Sequence, residues 1–176
     1  MDINHSLTDQ PRIYVACLAA YNNGILHGAW IEATNAWSMW GATRDMLAKS
    51  PIPNAEEWAI HDYEGFASIR ISEYASFDRV AELAAFIAEH GALGAELLDH
   101  FCGDLDEARG ALEDRHLGQY ESLAEYVQDI TEETTTIPQT LRYYIDWQAM
   151  ARDCELNGDL FTIQTSHDAV HVFAGC

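Results

Sequence analysis

Apolar residues dominate Ile13 to Ala20, a run rich in β-formers that follows Pro11 and predicts a strand. Tyr21-Asn22-Asn23-Gly24 is a turn signal, because Asn and Gly tolerate positive φ. Ile25 to Ala33 predicts a second strand, so the pair reads as a β-hairpin with an enlarged loop. Asn35 is placed to cap a helix that carries Trp37, Trp40 and Leu47 toward a core and ends at Ser50-Pro51-Ile52-Pro53. Glu57 to His61 and Ser68 to Ser72 predict a third and a fourth strand.

The period then changes. Ser76 is an N-cap candidate, and Val80, Leu83, Ala84 and Ile87 fall at i, i+3, i+4 and i+7, an amphipathic helix stopped near Gly91. Shorter helices are predicted over Leu93 to Phe101 and Leu105 to Glu113. Tyr120 to Thr131 predicts a further helix with the apolar stripe Tyr120, Leu123, Ala124, Val127 and Ile130. Pro138 opens another, through Tyr144, Trp147 and Met150 to Glu155, closed by Asn157-Gly158. Strands over Leu160 to Thr165 and Ala169 to Phe173 complete the chain. The expected fold is α+β in three small domains after a tail over residues 1–10. Residues 11–75 form a small antiparallel sheet plus helix, 76–116 a central helical unit, and 117–176 helices plus a second small antiparallel sheet. Trp37, Trp40, Trp58, Trp147 and Tyr144 each sit among apolar residues and are expected in cores.

Composition adds charge to this picture. Of 176 residues, 48% are hydrophobic, which is enough for packed cores and unlike a disordered acidic tail. Against 29 Asp and Glu stand 9 Lys and Arg, a formal net charge of -20; Lys49 is the single lysine. Nucleic acid and anionic membranes would be repelled, so the balance argues for a basic partner, a cation or a saline environment. Adaptation to a saline environment is the bland alternative. Cys17, Cys102, Cys154 and Cys176 are widely spaced without a Cys-x-x-Cys, and the first ten residues lack the apolar region of a secretory signal. Reduced thiols in a cytoplasmic protein are expected.

Catalytic signatures do not emerge. The chain carries no Gly-x-Gly-x-x-Gly, P-loop, Gly-x-Ser-x-Gly or His-Glu-x-x-His motif. His167 and His171 are four apart, but around a strand that spacing separates them by about 13 Å. Asp99, Asp104, Asp106 and Glu107 do not follow the alternating ligands and central glycine of a calcium loop. No enzyme, metal or cofactor is expected.

The acids themselves are patterned. Glu96, Asp99, Asp104, Asp106, Glu107, Glu113, Asp114, Glu121, Glu125, Asp129, Glu132 and Glu133 crowd one segment, opposed by Arg109 and Arg115. Glu121, Glu125, Asp129 and Glu132 are expected along one helix face, where like charges at i,i+4 cost about 0.2–0.5 kcal/mol per pair. A solvated face is the ordinary reading; a surface imitating a polyanion is the other. At about one charge per 1.7 Å of duplex, twenty net charges equal roughly 34 Å of DNA, about 10 base pairs.

Several short motifs follow one another in a recognisable order. Pro11-Arg12-Ile13-Tyr14-Val15-Ala16, Tyr21-Asn22-Asn23-Gly24, Gly28-Ala29-Trp30-Ile31 and Asp62-Tyr63-Glu64-Gly65-Phe66 resemble the opening of the ArdA antirestriction family. Leu97-Leu98-Asp99-His100-Phe101-Cys102-Gly103-Asp104-Leu105, running on to Gly118-Gln119-Tyr120-Glu121-Ser122-Leu123, resembles its antirestriction motif region. Ile137-Pro138, Leu141 to Asp146 and His171-Val172-Phe173 resemble its C-terminal part.

The resemblance implies a non-catalytic, cytoplasmic protein borne by mobile elements, an elongated homodimer of three small domains per subunit joined through the C-terminal domains. It implies that carboxylates stand in for phosphates and occupy the DNA site of Type I restriction–modification enzymes, inhibiting restriction, with or without modification. The twelve acids from Glu96 to Glu133 are the expected partner-binding set. Leu97, Leu98, Asp99, Phe101, Gly103, Gly118, Tyr120 and Leu123 are the expected motif residues; Leu97, Leu98 and Leu105 read equally as core or as dimer contacts. An acidic module for another basic DNA-binding protein and a small halophilic enzyme stay open as alternatives.

Overall fold

The computed structural model describes residues 10–175. Except for Gln10, the tail expected over residues 1–10 lies outside the described residues, as does Cys176. The fold is α+β, with two separate three-stranded antiparallel sheets, and the chain divides into compact units at Gly103/Asp104.

In the first unit, β1 (Arg12–Cys17) lies between β2 (Gly28–Glu32) and β3 (Trp58–Glu64). The strand is hydrogen-bonded along both edges, and its apolar run is buried at Ile13, Val15, Ala16 and Cys17. The predicted first strand stops early. Leu18–Asn22 instead forms the short helix α1, started where the Leu18 amide bonds the Glu57 carbonyl at 3.0 Å rather than continuing the ladder. Gly28 has a packing reason: a Cβ there would lie 2.6 Å from the Val15 carbonyl oxygen and 2.7 Å from the Tyr14 ring.

Asn35 caps α2 (Ala36–Ala48) as expected, accepting from the Ser38 amide at 2.9 Å. The buried face is not the tryptophan stripe, however. Met39, Thr43 and Met46 face inward, while Trp37 is 81% exposed and Trp40 half-exposed. Trp40 packs edge-on to Trp58 and Phe77 at the margin of the core, and Trp58 stacks on Phe77 at 4.5 Å. Ring size suggested the wrong face; the small side chains allow the helix to lie against the sheet.

The fourth strand does not form. Ile69 and Ile71 are buried as their alternation implied, but the segment is turn-like, with the Ile69 amide on the Phe66 carbonyl and one bond from the Ile60 amide to Glu73. Alternation reports burial; a ladder also needs a free sheet edge in register.

Ser76 caps α3 (Phe77–His100), accepting from the Arg79 amide at 3.3 Å. The break expected at Gly91 is present inside it: φ 56, ψ -134, a conformation that only glycine adopts without strain. The helix ends in a Schellman turn. The Gly103 amide bonds the Leu98 carbonyl at 2.6 Å and the Cys102 amide bonds the Asp99 carbonyl at 3.0 Å, with Cys102 left-handed at φ 52. The Arg79 guanidinium donates to the Gly103 carbonyl, tying this turn to the start of the same helix.

In the second unit, Asp104 caps α4 (Leu105–Gly110), which runs into a π turn over Ala111–Arg115. The strand β4 (His116–Tyr120) was not legible, and Tyr120 belongs to it rather than to the helix whose stripe it fits. The helix α5 (Leu123–Thr134) starts at Ser122, which accepts from the Glu125 amide at 3.2 Å, while the Glu125 carboxylate reaches back to the Glu121 amide at 2.7 Å. This reciprocal cap stops the helix from extending to Tyr120.

Pro138 does not open a helix. A turn and a short 3-10 segment, Arg142–Tyr144, follow it, and α6 (Trp147–Leu156) begins only where Asp146 accepts from the Ala149 amide. Tyr144 is accordingly 84% exposed, not core, whereas Trp147 is half-buried against the unit's core. That core gathers Leu123, Ala124 and Val127 of α5, Ala151 of α6 and Val172. The second sheet has the order β4-β6-β5, with β5 (Leu160–Ser166) and β6 (Ala169–Ala174) close to their predicted spans.

Candidate partner-binding surface

The elements place the twelve acids unequally. Glu96 and Asp99 stand on the exposed side of the last turns of α3, opposite Leu97 and Leu98, which are fully buried. That burial makes the two leucines core residues of the first unit, and Leu105 is likewise buried in the second. Asp104, Asp106 and Glu107 occupy the cap and first turn of α4, where the helix dipole favours negative charge. Glu113 and Asp114 lie in the π turn. Glu125, Asp129, Glu132 and Glu133 ride on α5, and Glu121 precedes it, so the helical row starts at Glu125 rather than Glu121.

All twelve are exposed. Four of them have local partners: Asp104 accepts from the Asp106 and Glu107 amides at 3.0 and 3.1 Å, Glu107 pairs with Arg115 at 3.1 Å, Glu125 completes the α5 cap, and Glu132 accepts from Gln128 at 3.3 Å. Glu96, Asp99, Asp106, Glu113, Asp114, Glu121, Asp129 and Glu133 make no side-chain hydrogen bond or ion pair among the described residues.

The acidic surface is also wider than the sequence segment. Every Asp and Glu among the described residues is exposed, including Glu32, Asp45, Glu56, Glu57, Asp78 and Glu82 of the first unit. Acid density in the sequence is highest over residues 96–133; the signal that widens the set is the scarcity of lysine, with Lys49 the single one in the chain.

The motif residues do different work. Leu97, Leu98 and Leu123 are buried, Phe101 and Tyr120 are half-buried, and Gly103 and Gly118 hold positive φ at 84 and 134. Tyr120 packs edge-on against Tyr126 at 5.1 Å. The motif therefore reads as the structural frame from which Asp99, Asp104 and Glu121 project.

A model of the ArdA antirestriction protein family matches residues 13–169. The chain belongs to the ArdA antirestriction family. Among curated proteins none matches it. Membership implies interaction with restriction enzymes, and the match spans both units of this ArdA chain. Among its described residues no helix is long and apolar enough to cross a membrane.

Proposed function

We propose that this ArdA chain inhibits Type I restriction–modification enzymes in the cytoplasm by occupying their DNA site, with exposed carboxylates in the positions of phosphates. The carrying observation is the set of eight carboxylates between Glu96 and Glu133 that are exposed and locally unpartnered. A chain selected for stability alone would interleave lysines and gain from i,i+4 pairs; α5 instead sets Glu125, Asp129 and Glu133 at successive i,i+4 positions, each pair costing about 0.2–0.5 kcal/mol. A cationic DNA groove converts that cost into attraction.

The Type I target and carriage on mobile elements follow from the family resemblance. No bond is made or broken in this reading, so no catalytic residue is needed: inhibition is occupancy. The chain acts as a homodimer through its C-terminal part, where Leu141, Tyr143 and Tyr144 expose apolar and aromatic surface in the second unit. The test is a competition titration of a labelled target duplex on a Type I enzyme at two salt concentrations. Displacement that weakens as salt rises supports electrostatic mimicry. Failure to displace DNA at either concentration overturns the proposal.

A further inference from the structure

We propose that His116 and His171 form a two-imidazole chelate for a divalent transition-metal ion such as Zn²⁺ or Ni²⁺, clipping β4 to β6. The inference stands independently of the antirestriction reading. In the β4–β6 ladder His116 lies opposite Phe173 and Gln119 opposite His171, and the register shifts between His116 and Gly118. Lying two residues from Phe173, His171 is the diagonal same-face neighbour of His116, with Nε2 of His116 and Nδ1 of His171 3.1 Å apart and the ring centroids 5.2 Å apart.

Those separations suit a shared metal. With metal–nitrogen bonds of about 2.0–2.1 Å, two cis nitrogens stand about 2.9 Å apart in an octahedron and about 3.3 Å apart in a tetrahedron, and the 3.1 Å separation of the facing nitrogens lies between the two. The exposed His116 ring packs 4.8 Å from Phe173, which stacks on Phe161 at 4.9 Å, so one side of the pair rests on an aromatic wall.

At present one ring donates N–H to the other. On chelation that proton moves to the outward nitrogen of the same ring, so both facing nitrogens present lone pairs and no net proton is lost when both rings start neutral. Among the described residues no third His, Cys, Asp or Glu joins them, and water completes the shell. The cation nearest in sequence, Arg115, is engaged with Glu107, and the chain's net charge of -20 draws divalent ions toward the surface.

The test is thermal unfolding of the full chain with Zn²⁺, with Ca²⁺ as the control for carboxylate binding, beside imidazole ¹⁵N NMR of the wild type. Zn²⁺ should raise Tm saturably in the wild type and in His167→Gln. In His116→Gln and His171→Gln the apparent affinity should fall by more than about tenfold, the scale on which even the outer partners of metal ligands matter. Zn²⁺ should shift the His116 and His171 nitrogen resonances together, and Ca²⁺ should not. Equal Zn²⁺ responses in the two folded variants, or wild-type resonances unmoved by saturating Zn²⁺, would overturn the proposal; the second readout holds even if a variant fails to fold.

Discussion

Neutralising the unpartnered carboxylates should separate inhibition from stability. The perturbation is Asp106→Asn, Glu113→Gln, Asp114→Asn, Glu121→Gln, Asp129→Asn and Glu133→Gln together, which moves the net charge from -20 to -14. None of these side chains makes an ion pair or hydrogen bond among the described residues, so no native contact is removed. On α5, two like-charge i,i+4 repulsions disappear, a gain of about 0.2–0.5 kcal/mol each. At α4, losing Asp106 from the first turn forfeits a dipole interaction of about 0.3–1 kcal/mol. The two effects nearly cancel, and Tm should move by no more than about 3 °C. Binding has no such compensation. Six exposed charge contacts at about 0.5 kcal/mol each amount to about 3 kcal/mol, roughly a hundredfold in affinity. The assay is inhibition of a Type I endonuclease on unmodified DNA, paired with thermal unfolding of the same preparations. Undiminished inhibition by a folded sextuple variant would refute the assignment of these acids to the partner surface.

Four further outcomes follow from single sites. Asp104→Ala should destabilise by about 1 kcal/mol in urea unfolding, because the carboxylate caps two amides, whereas Asp104→Asn keeps the cap and should stay near wild type. Gly91→Ala should cost about 1–3 kcal/mol from backbone strain alone, since an added Cβ meets nothing within 4 Å; a neutral result in urea unfolding would mean that the break in α3 is not needed. Leu98→Ala, at a fully buried position, should cost about 2–5 kcal/mol by the same measurement. His171 is lowered by desolvation and then by His116, so below about pH 6.5 the unfolded chain takes up more protons than the folded one. The stability that this group contributes is therefore complete above that pH and is lost as pH falls toward the folded value. His116→Gln should shrink this acid loss in a Tm–pH profile, with His171→Gln as the reference that lacks it.

Much of the architecture was legible because its signals are local. Asn35, Ser76 and the Gly91 break are set by backbone groups within a few residues, and each is where the pattern put it. The misses have a common cause: tertiary contacts chose between locally equivalent options. Tyr120 fits the stripe of α5 at i, i+3, yet it pairs with Val170 of β6, a partner fifty residues away. Trp37 and Trp40 looked like a buried face until the sheet selected Met39, Thr43 and Met46. The His116–His171 pair is illegible for the same reason, since nothing near His116 in sequence announces a partner on β6. Of the surface, the charge was legible and the division of labour was not: Asp104 and Glu125 differ from Asp106 and Asp129 only in where the helices begin.

That division changes how the family motif is to be understood. From Leu97 to Leu105 the sequence builds two buried leucines, a left-handed Cys102, a Gly103 whose amide closes the Schellman turn, and a capping Asp104. Each of those roles demands a particular side chain or a particular absence of one, which is why the segment has a recognisable order. A phosphate-like charge makes no such demand, because an acid one turn away serves nearly as well when the partner is a long cationic groove. The most recognisable residues are then those that hold the fold, and under the proposed mimicry the acids are the more interchangeable ones. Loss of inhibition on changing Leu98 would report unfolding as readily as lost contact, so only variants whose folding has been measured can locate the surface.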